Sequence, residues 1–177
     1  MMRLSLVAAL ATAGLALYCG SAGAGRMWMP KTENPYCDVA TYTLREVSEQ
    51  AMSMHDSKGR PVIVVSGYTL ADKPSYGRFL LAHECCHHSL GHVGRFSKAK
   101  GLGQVGPQPF FYLAPALKKM ELDADCCAIK ILRSKNDTDS IGSAEEEMKS
   151  FGSAPTGAHY PTGTERAENI AGCAVAY

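Results

Sequence analysis

One uninterrupted stretch governs the interpretation of this chain of 177 residues: Phe79-Leu80-Leu81-Ala82-His83-Glu84-Cys85-Cys86-His87-His88. It contains neither proline nor glycine, so nothing in it interrupts a helix. Gly91 follows shortly afterwards and is a typical helix stop. The stretch therefore predicts a helix over residues 75–90.

The segments around this helix predict an α+β domain. Upstream, Val62-Ile63-Val64-Val65 is a β-branched run that predicts a strand, residues 38–54 have loosely helical spacing, and residues 67–74 predict a turn. Downstream, five glycines within residues 91–109 favour a long loop. The remaining predictions are a strong helix over residues 114–134, a capping box formed by Ser143 and Glu146, and a last helix over residues 164–175.

The first 24 residues have the pattern of a secretory signal peptide. Arg3 supplies a positive charge, residues 4–18 are almost uniformly apolar, and Ala24 ends a run of small residues that suits signal peptidase. We therefore expect a secreted or periplasmic domain over residues 25–177, with no later segment long enough to span a membrane. Removal of Cys19 leaves six of the seven cysteines, an even number suited to disulfides.

Composition and charge exclude several classes of protein. Hydrophobic residues make up 46% of the chain and charged residues 20%, which is usual for a globular domain. The formal net charge of +1 gives no reason to expect nucleic acid or an anionic membrane as a partner. Function must therefore come from a local site.

The helix predicted over residues 75–90 contains the spacing His-Glu-x-x-His. Residues four apart lie one turn above each other on a helix, so His83 and His87 present their imidazoles to one place. Glu84 lies about 100° around the helix, where it can act on a water molecule instead of binding the metal directly. The pattern predicts two ligands of one catalytic Zn²⁺ ion, which needs a third protein ligand from elsewhere.

The third ligand has two candidates in this sequence. His92 resembles the third histidine of the metzincin pattern, but that pattern requires Gly and His where this chain has Leu90 and Val93. Glu121 and Asp125 are better placed, because they lie on one face of the second helix. One of these carboxylates can bind the metal while the other orients a ligand histidine through its second ring nitrogen.

Together these motifs resemble a known family. His83-Glu84-x-x-His87 followed by Glu121-x-x-Ala124-Asp125 is similar to the gluzincin metallopeptidases, in the branch that includes HtpX and the prenyl-protein endopeptidases. His159-Tyr160-Pro161, with Arg166 beyond it, resembles a further element of that branch, although its proline comes one residue late. The resemblance covers residues 62–170 and lacks the membrane helices of those relatives, so their substrates do not transfer to this chain.

The resemblance implies a zincin-like fold, with a short sheet packed on two metal-bearing helices, and a role for each matched residue. Those roles are zinc ligation by His83, His87 and Glu121, general base catalysis by Glu84, support of a ligand histidine by Asp125, oxyanion stabilisation by His159, and an electrostatic or structural partnership for Arg166. Tyr112 and Tyr160 are alternative oxyanion donors.

The cysteines allow a second kind of zinc site. Four of them flank the proposed ligands, and thiolates can form a closed structural site; the six candidates for disulfides are Cys37, Cys85, Cys86, Cys126, Cys127 and Cys173. Adjacent cysteines on a helix diverge by about 100°, which disfavours a shared metal and favours disulfides. We expect at least one bridge between the two metal-bearing helices, for example Cys85 to Cys126.

The sequence as a whole predicts an exported zinc-dependent endopeptidase. Its substrate would be a peptide or an unfolded protein, which could pair as an added strand with residues 62–65 at the edge of a cleft. The alternative is a zinc-binding or envelope-assembly accessory module that has the same fold but no activity. An intact Glu84 favours the enzyme, because a binding site has no need of a general base.

Overall fold

The computed structural model describes residues 29–45, 47, 50–93, 108–157 and 159–175, with the backbone alone for 108–114. The predicted signal peptide and residues 94–107 of the predicted loop lie outside the described residues, as does the side chain of Tyr112. In the described part of the chain, no helix combines the length and the apolar character needed to cross a bilayer.

Four strands form one mixed sheet: β1 (Lys31–Thr32), β2 (Ala40–Leu44), β3 (Ala51–His55) and β4 (Pro61–Ser66). Their order is β1-β2-β4-β3, with β2 parallel to β4 and the other pairs antiparallel. The strand predicted over residues 62–65 is confirmed. The α+β class predicted from the sequence is confirmed as well.

Two predictions about this sheet are wrong. Residues in this range form β2 and most of β3 instead of a helix, because their backbones pair with β4 on both of its sides. An added peptide strand cannot pair with β4 for the same reason, since its backbone groups already bond to two neighbours. Among the described strands the edge next to β4 is β3.

Five helices follow the sheet: α1 (Gly67–Asp72), α2 (Pro74–Ser89), α3 (Gln108–Ser134), α4 (Thr138–Phe151) and α5 (Gly163–Val175). The helices predicted over residues 75–90, 114–134 and 164–175 are confirmed, although α3 begins earlier. The turn predicted over residues 67–74 is instead the short helix α1, because Ser66 caps it by accepting a hydrogen bond from the Thr69 N–H.

The capping box predicted at Ser143 is also wrong, because that residue lies inside α4. The helix starts at Thr138, where Asp137 accepts the Ser140 N–H. Arg78 on α2 donates to the same carboxylate at 2.8 Å. Partial burial would raise the pKa of Asp137, but these donors outweigh it and lower the pKa to about 2.

Helix α2 lies at the centre of the molecule. Its residues 79–86 are all buried, and they pack against the sheet on one side and against α3 and α4 on the other. Phe79, Ile129, Leu132 and Met148 are almost completely buried in this core. Each such side chain contributes about 1.5–3 kcal/mol through burial. The predicted ligands His83 and His87 therefore lie on a helix that is packed on both sides.

Three cysteine pairs lie at disulfide distance: Cys37–Cys85, Cys86–Cys127 and Cys126–Cys173, with Cα–Cα distances of 5.9, 5.9 and 5.4 Å. The predicted bridge between the two metal-bearing helices is confirmed, but the pairing of Cys85 with Cys126 is wrong. Neighbouring cysteines on a helix point in different directions, so each adjacent pair divides between two partners. The pairing also rules out a zinc site made of these thiolates.

Candidate metal centre

Three side chains from two helices meet at one point beside α2. His83 Nε2 lies 3.0 Å from His87 Nε2, because the two residues are one turn apart on α2. Glu121 reaches them from α3, with 3.3 Å between Oε2 and His83 Nε2 and 3.3 Å between Oε1 and His87 Nε2. These residues form a group that can hold a metal ion. The third candidate ligand chosen from the sequence, Glu121, is therefore brought to the two histidines.

The spacing of these atoms suits a small tetrahedral cation. Metal–ligand bonds of about 2.0–2.2 Å at tetrahedral angles separate neighbouring ligand atoms by about 3.3 Å. The observed separations of 3.0–3.3 Å are close to that value. Two imidazoles and one carboxylate also form a recognised donor set for catalytic zinc, with a fourth position left for water. The residues present thus fit the metal that the sequence predicts.

Asp125 and Arg166 lie behind His83, on the side away from the candidate metal position. His83 Nδ1 lies 3.0 Å from Asp125 Oδ1, although this nitrogen has no hydrogen bond of regular geometry in the present ring orientation. Arg166 holds Asp125 through two contacts, from Nη2 to Oδ1 at 2.6 Å and from Nε to Oδ2 at 2.9 Å. The bidentate geometry fixes the carboxylate beside the ring. Asp125 thus contacts both His83 and Arg166, and its role as the support of a ligand histidine stays a prediction.

The electrostatics of the site favour a cation. Complete burial would lower the pKa of His83, but Asp125 and Glu121 outweigh burial and raise the pKa to about 10 in the metal-free protein. Burial would likewise raise the pKa of Glu121, but hydrogen bonds from His83 and His87 hold it far below its ordinary value. His83 therefore carries a proton in the metal-free protein, and a divalent ion that binds its ring would displace that proton.

Arg166 balances only part of the buried negative charge. Burial would raise the pKa of Asp125, but the guanidinium of Arg166 holds that pKa below its ordinary value. Burial would lower the pKa of Arg166, but Asp125 outweighs it and raises the pKa further. Among the described residues Arg166 is the only buried arginine, whereas three carboxylates, Glu84, Glu121 and Asp125, are buried. The excess of carboxylate is a second reason for a cation to bind.

The predicted general base, Glu84, has a partner that the sequence did not reveal. Ser53 on β3 places its hydroxyl 2.6 Å from Glu84 Oε2 and 2.8 Å from the backbone oxygen of the same residue. Glu84 lines the same cavity as His83, His87 and Glu121. No local pattern signals this contact, because Ser53 lies 31 residues before Glu84 and on another element.

His92 has a different role from the one considered in the sequence. It is buried, and its Nδ1 lies 3.0 Å from Nδ1 of His87, on the side of that ring away from Glu121. It therefore contacts the candidate ligand His87 and is not part of the group that could hold a metal ion. The position of His92 depends on the turn after α2. The spacing of histidines in the sequence does not report the shape of that turn.

A cavity of about 440 Å³ opens beside these residues. It is lined by β3 on one side and by residues of α2, α3 and α4 on the others, together with His92, Tyr160 and Arg166. His159 is exposed, has a φ of 68°, and is not among the lining residues, whereas its neighbour Tyr160 is. The oxyanion role of His159 stays a prediction, and Tyr160 is the alternative donor that faces the cavity.

No protein-family model, curated protein or solved structure matches this chain. The function must therefore be argued from the arrangement of its own residues.

Proposed function

We propose that this protein is an exported zinc-dependent endopeptidase that hydrolyses peptide bonds in extended or unfolded chains. The observation that carries the proposal is the convergence of His83, His87 and Glu121, with Glu84 buried next to them and oriented by Ser53. A site that only stored a metal would need the first three residues alone. The carboxylate of Glu84 adds what a hydrolytic reaction requires, a base beside the position for water.

The donor chemistry favours zinc over harder or softer cations. Calcium and magnesium prefer six or more oxygen ligands, whereas this group offers two imidazole nitrogens and one carboxylate. Thiolate ligands, which copper(I) prefers, are absent from the group because the nearby cysteines are paired. When bound, zinc would lower the pKa of a coordinated water to about 7 and polarise the carbonyl of the scissile bond.

The other steps of the proposed hydrolysis are assigned to residues of the chain itself. Glu84 accepts a proton from the attacking water and returns it to the amine that leaves. Ser53 holds one oxygen of Glu84, so that the other faces the reacting water. Arg166 and Asp125 keep His83 oriented, and Tyr160 offers a hydroxyl to the negative charge that develops on the substrate oxygen. A donor of this kind is worth about 2.7–4 kcal/mol of the barrier.

The substrate class follows from the shape of the cavity. Strand β3 pairs with β4 along one edge and has no strand on its other edge among the described residues, and its residues Ala51, Met52 and Ser53 line the cavity. An extended peptide can therefore add to β3 and pass the metal group, as strand addition requires. Leu80 and Phe151 give the cavity an apolar surface for substrate side chains. Folded proteins do not offer such a free strand, which favours unfolded substrates.

The test compares the purified chain with its Glu84→Gln variant on unfolded casein. The proposal expects one zinc per chain in both proteins and cleavage only in the wild type, with a loss of about 10²–10⁴-fold in the variant. Asp123→Asn, on the exposed side of α3, is the matched control and should cleave normally. If wild type and Glu84→Gln both bind zinc and neither cleaves casein or unfolded test proteins, the silent accessory module replaces the enzyme.

A further inference from the structure

We propose that His92 is a positioning residue for the metal ligand His87. A hydrogen bond between the Nδ1 atoms of the two rings fixes the tautomer and the orientation of His87. The inference rests on the metal-binding part of the proposed function. It assigns a role to a histidine that the ligand set does not use. Its basis is the 3.0 Å distance between the two Nδ1 atoms and the burial of the His92 side chain, which is 5% exposed.

The backbone brings His92 to this place by ending α2 at the right residue. Leu90 caps the helix, with its N–H bonded to the Cys86 oxygen, and Gly91 then adopts a φ of 69°. Glycine enters this left-handed region without steric cost, whereas other residues do so rarely. If the helix continued, His92 would lie about 140° around the axis from His87. The turn at Gly91 folds the chain back and brings the two rings together.

The chemistry of imidazole decides which ring donates. His87 directs Nε2 toward His83 and Glu121, so a metal bound there needs the Nε2 lone pair and the proton of neutral His87 must sit on Nδ1. A protonated Nδ1 can only donate a hydrogen bond. His92 Nδ1 must therefore accept it, which places the proton of His92 on its own Nε2. One contact thus selects the tautomers of both rings.

The two ligand histidines are consequently supported by different groups. His83 has the Asp125 carboxylate beside its Nδ1, and Arg166 holds that carboxylate. His87 has the imidazole of His92 in the same relative position. Removal of an outer hydrogen-bond partner of a ligand histidine typically weakens metal binding by about 10–100-fold. The same range is expected here for loss of the acceptor at residue 92.

Two substitutions separate hydrogen bonding from packing. His92→Phe keeps a planar ring in the buried position but removes the acceptor. His92→Asn loses the ring but keeps an acceptor oxygen at the same number of bonds from the backbone as Nδ1. His88→Ala is the control, because that neighbouring histidine bonds to the backbone oxygen of Val62, away from the metal group.

The measurement is the zinc affinity of the full disulfide-bonded chain, obtained by chelator competition with zinc alone as the ligand. The proposal expects binding weakened about 10–100-fold in His92→Phe, and affinities within about threefold of wild type in His92→Asn and His88→Ala. Wild-type affinity in His92→Phe, or an equal loss of affinity in His92→Phe and His92→Asn, overturns the proposal. A wild-type chain that binds no zinc refutes the proposed function instead.

A second measurement needs no variant and so does not depend on its folding. Nitrogen NMR of the zinc-loaded wild-type protein reports the tautomer of each ring and the coupling across an N–H···N bond. The proposal expects His87 protonated at Nδ1 with a coupling to His92 Nδ1. Protonation of both Nδ1 atoms, or the absence of that coupling, overturns the proposal.

Discussion

Replacement of Glu121 by Gln tests the metal group directly. The substitution keeps the shape of the side chain but removes the negative charge and a strong ligand oxygen. Both Glu121 oxygens lie 3.3 Å from a ligand nitrogen, one from His83 and one from His87. The change therefore affects both contacts between Glu121 and the histidines, while the contact of Asp125 with His83 and its bonds to Arg166 remain in place.

The expected loss can be estimated from the number of ligands. Structural zinc sites with four protein ligands bind with about 10–16 kcal/mol, or roughly 2.5–4 kcal/mol per ligand. Since about 1.4 kcal/mol corresponds to a factor of ten, loss of Glu121 should weaken zinc binding by about 10²–10³-fold. At a zinc concentration of about 1,000 times the wild-type Kd, zinc stabilises the wild type by about 4 kcal/mol. The variant should gain only about 0.4–1.4 kcal/mol under the same conditions.

The assay is unfolding by urea with and without zinc, together with chelator competition for the Kd. Asp123→Asn is the matched control, because it removes a carboxylate from the same helix that pairs only with surface Lys119 among the described contacts. It should retain the full zinc-dependent stabilisation. A Glu121→Gln chain whose Kd stays within about threefold of wild type would show that Glu121 is not a ligand, and the proposed metal group would have to be abandoned.

Three further perturbations test other parts of the structure. Ser53→Ala should lower kcat on casein by about tenfold with unchanged zinc content, because it removes a hydrogen bond to the general base; an unchanged kcat contradicts that role. Joint replacement of Cys86 and Cys127 by Ala opens a loop with a sequence separation of 41 and should cost about 4 kcal/mol in urea unfolding, which an unchanged transition would refute. Asp137, whose pKa is about 2 in the folded protein through its contact with Arg78, stabilises the fold when ionised. That stabilisation is complete above the ordinary pKa near 4 and is lost as the pH falls to about 2, so melting curves of Asp137→Asn should depend less on pH in this window, and an equal dependence would exclude the effect.

The parts of the candidate site that lie on single helices could be predicted from the sequence. His83 and His87 face the same way because a helix repeats every 3.6 residues, whatever surrounds it. The same rule places Glu121 and Asp125 on one face of α3. The resemblance to gluzincins then selected Glu121 as the ligand, and the structure brings its carboxylate to the two imidazoles.

Predictions failed where the outcome depended on residues far apart in the chain. Residues 38–54 carry a weak helical spacing, but pairing with β4 makes them two strands. That pairing also moves the edge of the sheet from β4 to β3, and with it the proposed place for a peptide. The disulfide partners changed for a related reason, since Cys37 and Cys173 lie on segments whose approach to the helices no local pattern reports.

Local periodicity was thus sufficient for the helices α2 and α3, for the two imidazoles and for the pair of carboxylates, because backbone geometry alone sets the direction of side chains a turn apart. Long-range packing was needed for the edge strand, the disulfide pairs, and the contacts of Ser53 with Glu84 and of His92 with His87. The contact of Ser53 with Glu84 depends on how a strand packs against a helix, and the contact of His92 with His87 depends on the turn at Gly91. The packing of the assembled core stabilises these contacts, and a short segment of sequence does not show which residues will pack together.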